Sequence, residues 1–342
     1  MRELNVVGKG KVEWREKPDP RLEARTDTVV RPVAASTCDV DRFLLAGTFP
    51  LELPFAIGHE CIGEVVDAGD AVTHVAPGDL VVVPWHIACG RCDRCRAGLT
   101  AHCRTVPPMS MFGAPLGGDW GGLFSDLVRV PHADAMLVPL PAGVDPVALA
   151  SAGDNWALAW RLVAPHLEES PGARVLILSI GSIGLYACDI AGALGASRRL
   201  YVDRDPQRRE IAASYGAEVA AEIEAVYQGF EIAVDASSDP ELLAIACRSL
   251  VPEGICESAG HLQPAELPLV EMWLGSVNLR IARDNASAHI PPALDLAQSG
   301  RVDPRRVVSD VLDWEALPEA LPELLTKPVF VREPLDPPAD GR

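Results

Sequence analysis

Through the first 150 residues the apolar positions fall in short β-branched runs, TVVRPVAAS (28–36), GEVVDAG (63–69) and GDLVVVP (78–84), separated by Pro, Gly and Asp. Runs of this length with breakers at both ends predict strands joined by tight turns, so this half is expected to be mainly β. The stretch PPMSMFGAPLGGDWGG (107–122) keeps no period and carries many breakers; it predicts a long loop, of the kind that can flank a pocket. From about residue 155 the pattern changes. Apolar strands (RVLILS, RLYVD, FEIAVDAS) now alternate with alanine-rich helical stretches (IGLYACDIAGALG, PQRREIAASYGAE), the signature of βαβ units on a parallel sheet. Beyond residue 290, IPPALDLAQSGRVDP predicts an amphipathic helix ended by Gly300, WEALPEALPELL a second helix, and KPVFVRE a short strand.

A chain of 342 residues has room for two cores, given about 100–200 residues per domain. The N-terminal MRELNVVGKGKVEW lacks the apolar core of a signal peptide, and no run approaches the length of a membrane span, so a cytoplasmic protein is expected. A formal net charge of −18 repels phosphate backbones and anionic lipid, which argues against nucleic-acid and membrane-surface roles. Nine cysteines without a secretory context point to thiols and thiolates rather than disulfides.

Four of the nine lie in CGRCDRCRAGLTAHC, at Cys89, Cys92, Cys95 and Cys103. Four thiolates fill the tetrahedral shell of one Zn2+ and leave no position for substrate, so this predicts a structural zinc site. An iron–sulfur run closes with a shorter final gap and a proline, whereas seven residues separate Cys95 from Cys103 and Arg104 follows. A redox CxxC is disfavoured by the third and fourth cysteine so close by.

The strand RVLIL runs through SIGSIG (179–184) straight into a helix, where a dinucleotide fold holds its pyrophosphate. Of the three fingerprint glycines, Gly181 and Gly184 are present and Ser179 stands in place of the first; with Ser182 and Ile183 they make up the candidate phosphate turn. Asp203, 19 residues past Gly184 at the end of the next strand, can accept hydrogen bonds from adenosine ribose hydroxyls and would repel a 2′-phosphate, which favours NAD and leaves NADP possible. Arg204 and Arg208 could stack on adenine or pair with a phosphate; the plainer expectation for Arg208 and Arg209 is a solvated helix face.

Upstream, Cys38 in STCDVD precedes His59 in GHEC by 21 residues, and with an acidic residue from elsewhere they could form a three-ligand zinc site with a fourth position for water or substrate. With Asp41, the GHE triplet at 58–60, the cysteine lobe and the later nucleotide turn, the chain resembles the zinc-dependent medium-chain dehydrogenase/reductase family of alcohol and polyol dehydrogenases. The resemblance covers nearly the whole chain. It implies an α/β protein: a GroES-like β-rich catalytic domain over 1–153 and 291–342, with the zinc lobe at about 86–105, and a Rossmann doubly wound parallel-sheet domain over 154–290. It implies two zinc ions per chain and NAD, a small alcohol or carbonyl substrate, and a homodimer or homotetramer. Cys38 and His59 become ligands of the catalytic zinc, Asp41 the partner of the other His59 nitrogen, and Glu60 a carboxylate able to coordinate. The third ligand is expected at Asp154 in ASAGDNWALAW, where the plain alternative is a helix N-cap and Glu60 is the substitute ligand. Trp85, His86, Phe112, Trp120 and Trp156 lie near segments that should border the pocket, although a core contact is the commoner role for each.

The implied activity is reversible hydride transfer between an alcohol carbon and the nicotinamide. Reduction of an activated C=C or C=N bond, or a non-catalytic nucleotide-binding role, are the alternatives. One position departs from the family pattern: where many members carry a Ser or Thr hydroxyl that passes on the alcohol proton, this chain has Val40. Water, Thr37, Asp39 or a group on the substrate would have to take over. Val40→Thr is therefore expected to raise alcohol turnover at neutral pH by about tenfold and to shift its pH profile; steady-state rates from acid to alkaline pH check this, and unchanged curves would dismiss the relay argument.

Overall fold

The computed structural model describes residues 1–226, 228–260, 264–323 and 326–333. The chain divides into two compact units, one of residues 1–157, 285–298 and 308–342, the other of 158–284 and 299–307.

The first unit is built on a sheet ordered Asp310–Asp313, Pro328–Val331, Thr28–Ser36, Glu60–Ala68, Leu80–Val83 and Val138–Pro139, with Val128–Val130 pairing to the Thr28–Ser36 strand. That strand is buried along almost its whole length, which explains why TVVRPVAAS reads as a continuous apolar run and not as an alternation. Pro32 cannot donate to the ladder, and it sits where the pairing with Glu60–Ala68 shifts register. Two strand registers gather distant residues at one end of this sheet. Ser36 lies opposite Glu60, so Cys38 and His59 emerge at the same end of neighbouring strands. Val329 also lies opposite Ser36, so the residue just before the Pro328–Val331 strand arrives at that end as well.

The second unit carries a six-stranded, wholly parallel sheet in the order Glu218–Ala220, Arg198–Val202, Arg174–Ser179, Phe230–Ala236, Leu250–Ser258, Asn278–Ile281. Val175, Leu176, Ile177 and Leu178 are fully buried, as a strand covered on both faces demands. Strand order reverses between Arg174–Ser179 and Phe230–Ala236, and the carboxyl ends of strands at such a reversal are where open α/β sheets bind ligands. These are the GroES-like β-rich and Rossmann-type layers expected of an α/β protein of this kind.

The segment 107–122 holds no helix or strand and makes only an isolated bridge, Met111 to His86. The helix expected from 290 starts earlier, at Ala286–Gln298, with Pro291 and Pro292 inside it and Gly300 beyond it at φ +69°. WEALPEALPELL is not one helix. It breaks into the 3-10 turns Trp314–Ala316 and Leu321–Glu323 around a four-residue helix, Leu317–Ala320, because Pro318 and Pro322 each remove a backbone donor; its last two residues, Leu324 and Leu325, lie outside the described residues. No helix among the described residues is long and apolar enough to cross a membrane.

The second unit also buries an ionic cluster. Glu257, fully buried in its strand, accepts from Arg161 Nη1 at 2.8 Å, from Arg280 at 3.2 Å, and faces His166 Nε2 at 2.9 Å. Arg161 is equally buried, with Asp284 3.9 Å away as its other counter-charge. Glu257→Gln would leave that guanidinium undercompensated in a dry interior and is expected to lower unfolding free energy by about 3–5 kcal/mol, read as a shift of the denaturant midpoint.

Candidate metal centre and nucleotide turn

Cys38 is the N-cap of the short helix Asp39–Leu45, and the Asp41 carboxylate returns to accept from the Cys38 backbone N–H at 2.9 Å. The other oxygen of Asp41 faces His59 Nδ1 at 3.4 Å. One buried carboxylate thus binds the backbone of one donor residue and lies against the ring of the next. His59 follows Gly58, whose φ of +95° and close approach to Phe124, 2.6 Å from where a Cβ would sit, require glycine. The opposite ring nitrogen, His59 Nε2, faces Asp154 Oδ2 at 3.3 Å. Asp154 immediately precedes the helix Asn155–Glu169. The Cys38 thiol donates to Asn155 Oδ1 at 3.2 Å. One donor atom from each of Cys38, His59 and Asp154 lies within 4.8 Å of the other two.

The electrostatics of this cluster are those of a site made for a cation. Burial pushes the Cys38 thiol up, and Asp154 adds to that. Burial also works to lower His59, but Asp41 and Asp154 overcome it and hold the imidazole well above its usual range. Burial disfavours the ionised form of Asp154, yet His59 outweighs it and keeps the carboxyl below the usual carboxylate range. A thiol and two carboxylates around one imidazole leave an excess of negative charge that a divalent ion would neutralise, and a sulfur, nitrogen and oxygen donor set with three protein ligands fits zinc with an open position.

Glu60 is placed differently from the other three. Its Oε1 accepts from the ammonium of Lys327 and its Oε2 from the Asn155 backbone N–H at 3.3 Å, and it is not in the cluster of converging donor atoms. Burial pushes its carboxyl up, against the pull of Lys327, to about 7. Lys327, fully buried, also donates to the Thr37 carbonyl. Sequence reasoning missed Lys327 and Asn155. Nothing local marks Lys327, a single cation before an apolar strand; Asn155 had only its adjacency to Asp154.

In the cysteine lobe, the sulfurs of Cys89, Cys92, Cys95 and Cys103 converge within 4.8 Å. Backbone N–H groups point at them: Cys92 N at Cys89 Sγ (3.4 Å), Cys95 N and Arg104 N at Cys92 Sγ (both 3.5 Å), Thr105 N at Cys103 Sγ (3.4 Å). Such donors favour thiolates; those from Arg104 and Cys95 bring Cys92 down to about 6. The lobe fits a sealed, structural ion.

In the second unit Gly181 caps the helix Ser182–Ala193, and a Cβ on Gly184 would lie 2.3 Å from Ser179 Oγ, so glycine is required there. The Ser179 hydroxyl accepts from Gly181 N at 3.3 Å and donates to Gly181 O at 3.1 Å, tightening the turn in which a first glycine is usual. Ser182 and Ile183 are buried in the helix's first turn. Asp203 is buried at the end of its strand, and here the expectation of a solvated helix face at Arg208 is overturned. Arg208 forks the Asp203 carboxylate, Nε to Oδ2 at 2.6 Å and Nη2 to Oδ1 at 2.9 Å, and Tyr201 OH and Asp205 N also donate to it. The buried acid at the strand end draws Arg208 inward, whereas Arg209 turns back onto the backbone carbonyls of Asp203 and Arg204. Arg204 stays exposed, 4.0 Å from Glu222. Of the five aromatic candidates, Trp85, His86, Phe112 and Trp156 are buried as core, and Trp120 is partly exposed with its indole N–H on the Gly117 carbonyl.

Residues 24–142 match the alcohol dehydrogenase GroES-like domain family. A probable zinc-binding alcohol dehydrogenase of Mycobacterium tuberculosis is 32% identical over 89% of this chain and 80% of its own length. A sorbitol dehydrogenase of Bacillus subtilis is 25% identical over 87% and 86%. The structure of an alcohol dehydrogenase from Thermus sp. ATN1 superimposes with a TM-score of 0.88 at 31% identity, covering 97% of this chain and 99% of that one. These relatives carry the names of alcohol and polyol dehydrogenases, which does not favour the alkene- or imine-reductase alternative. The parallel sheet with its phosphate turn, the β-rich unit with its two donor clusters, and these likenesses together establish that the chain belongs to the zinc-dependent medium-chain dehydrogenase/reductase family.

Proposed function

We propose that the protein transfers a hydride between a secondary alcohol or polyol and NAD, with Cys38, His59 and Asp154 holding the catalytic zinc and Cys89, Cys92, Cys95 and Cys103 a structural one. The observation that carries this reading is the convergence of one sulfur, one nitrogen and one oxygen donor in a buried site of the first unit. When bound, the ion supplies a Lewis acid for the substrate oxygen and the dinucleotide an acceptor for the hydride. The chain's own contribution is positional. Asp41 fixes the tautomer and orientation of His59, the role a carboxylate behind a histidine ligand plays. Until an ion binds, Asn155 Oδ1 accepts from the Cys38 thiol, and the neighbouring carboxylates keep the site anionic. The turn Ser179–Gly181–Ser182–Ile183–Gly184 offers backbone approach and a helix N-terminus to the pyrophosphate. Asp203 stands where the ribose would lie with its carboxylate paired to Arg208, and it would take the ribose hydroxyls once Arg208 turns aside.

The same reading extends to a cytoplasmic homodimer or homotetramer; Leu269, Val270, Trp273 and Leu274, all exposed on the helix Leu269–Leu274, support self-association.

A screen of alcohols, sugars and polyols with NAD and NADP, followed by absorbance of the reduced nicotinamide, tests the activity; silence across secondary alcohols and polyols would count against it. Metal analysis is expected to give about two zinc per chain, falling to about one in Cys38→Ser with turnover reduced at least about a hundredfold and the far-UV spectrum unchanged. Asp203→Ala would remove the counter-charge of Arg208 and release the guanidinium toward a 2′-phosphate, and is expected to raise the NADP-to-NAD ratio of kcat/KM by about tenfold or more.

A further inference from the structure

A buried carboxylate one residue after a histidine ligand is chemically suited to complete a metal's shell. With Glu60 as a fourth protein ligand the proposed catalytic ion would be as closed as the one in the cysteine lobe, and no substrate could reach it. Both Glu60 oxygens are instead committed elsewhere, Oε1 to Lys327 and Oε2 to the Asn155 N–H. Lys327 is delivered by the Pro328–Val331 strand, whose register sets Val329 opposite Ser36, and its ammonium bridges Glu60 to the Thr37 carbonyl. Neither side chain is exposed, so water cannot replace either partner, and a Glu60 that swung away would take the paired carboxylate from a buried ammonium. Through Lys327 and directly, the Glu60 carboxylate is tied to residues 37 and 155, and residues 37, 60 and 155 are each adjacent to one of the three donors.

We propose that Lys327 is a positioning residue that holds the Glu60 carboxylate out of the ligand set of Cys38, His59 and Asp154, so that one coordination position of their ion stays open to substrate. This rests on the zinc-site reading, and the test separates the two. Cobalt(II) is loaded into the catalytic site of the full-length protein, and imidazole, a small ligand for an open position, is titrated while the visible cobalt bands are followed. Wild-type protein is expected to bind imidazole. Lys327→Met frees Glu60 to coordinate, and should change the cobalt bands and weaken imidazole binding by about tenfold or more; adding Glu60→Gln to it should restore affinity to within about threefold. A Lys327→Met protein with wild-type bands and imidazole affinity, or a loss that the double variant does not restore, would overturn the proposal. Should Lys327→Met not fold, Glu60→Gln alone decides: imidazole affinity within about threefold of wild type supports the proposal, and a tightening of about tenfold, showing that Glu60 already occupied the position, overturns it. A wild-type protein that takes up cobalt but ignores imidazole also overturns it, whereas one that takes up no ion beyond that of the cysteine lobe removes the zinc-site reading itself, and this inference with it.

Discussion

Bringing several acidic and thiol groups together away from water is unfavourable unless their charge is balanced, and the first unit is organised around that constraint. Cys38, His59, Asp154, Asp41 and Glu60 all converge at one end of two neighbouring strands, and they include three carboxylates and a thiol against one imidazole. The protein's answer is to divide the carboxylates by role. Asp41 is committed to the Cys38 backbone and the back of the His59 ring, Glu60 is matched by Lys327, and Asp154 faces the imidazole. What is left over is the charge that a divalent cation would meet. The same solution recurs in the second unit with different purpose: Glu257 draws in Arg161, and Asp203 draws in Arg208. In both units a buried acid dictates where the nearby long basic side chains go, which no hydrophobic pattern announces.

Much of the architecture could be read from the chain because it follows from local pattern. TVVRPVAAS is a strand over the same nine residues, and RVLILS over the same six, since short apolar runs closed by breakers have few other conformations open to them. The spacing of the four cysteines was legible because a metal lobe is a local structure, closed within fifteen residues. His59 and Cys38 were legible only as a pair, since what unites them is the register of two strands and not any sequence neighbourhood. Failures came where competing local rules met tertiary forces. In WEALPEALPELL the apolar spacing of a helix concealed two prolines that break it into short turns. Arg208 looked like a solvated helix residue because its spacing from Asp203 carries no sign of the depth at which that acid lies.

Lys327 was beyond reach for a related reason. Its significance is set by partners at 37 and 60, reached through a strand that pairs antiparallel with Thr28–Ser36. A lysine ahead of an apolar strand is commonplace, and only the three-dimensional register turns it into the counter-charge of a buried glutamate. The two metal clusters differ in the same respect. The cysteine lobe draws all four of its donors from residues close in sequence, whereas the second cluster depends on contributions from four distant stretches.

The separation of Glu60 from Lys327 also has a temporal meaning. The two residues are 267 positions apart, and at about 5–20 residues added per second a ribosome takes roughly 13 to 53 seconds to travel from one to the other. Throughout that interval the Ala34–Ser36 end of the Thr28–Ser36 strand lacks its Pro328–Val331 neighbour, and Glu60 lacks its eventual cation. This end of the sheet can therefore take its native form only once residues 327–331 have been made, long after the strands they complete.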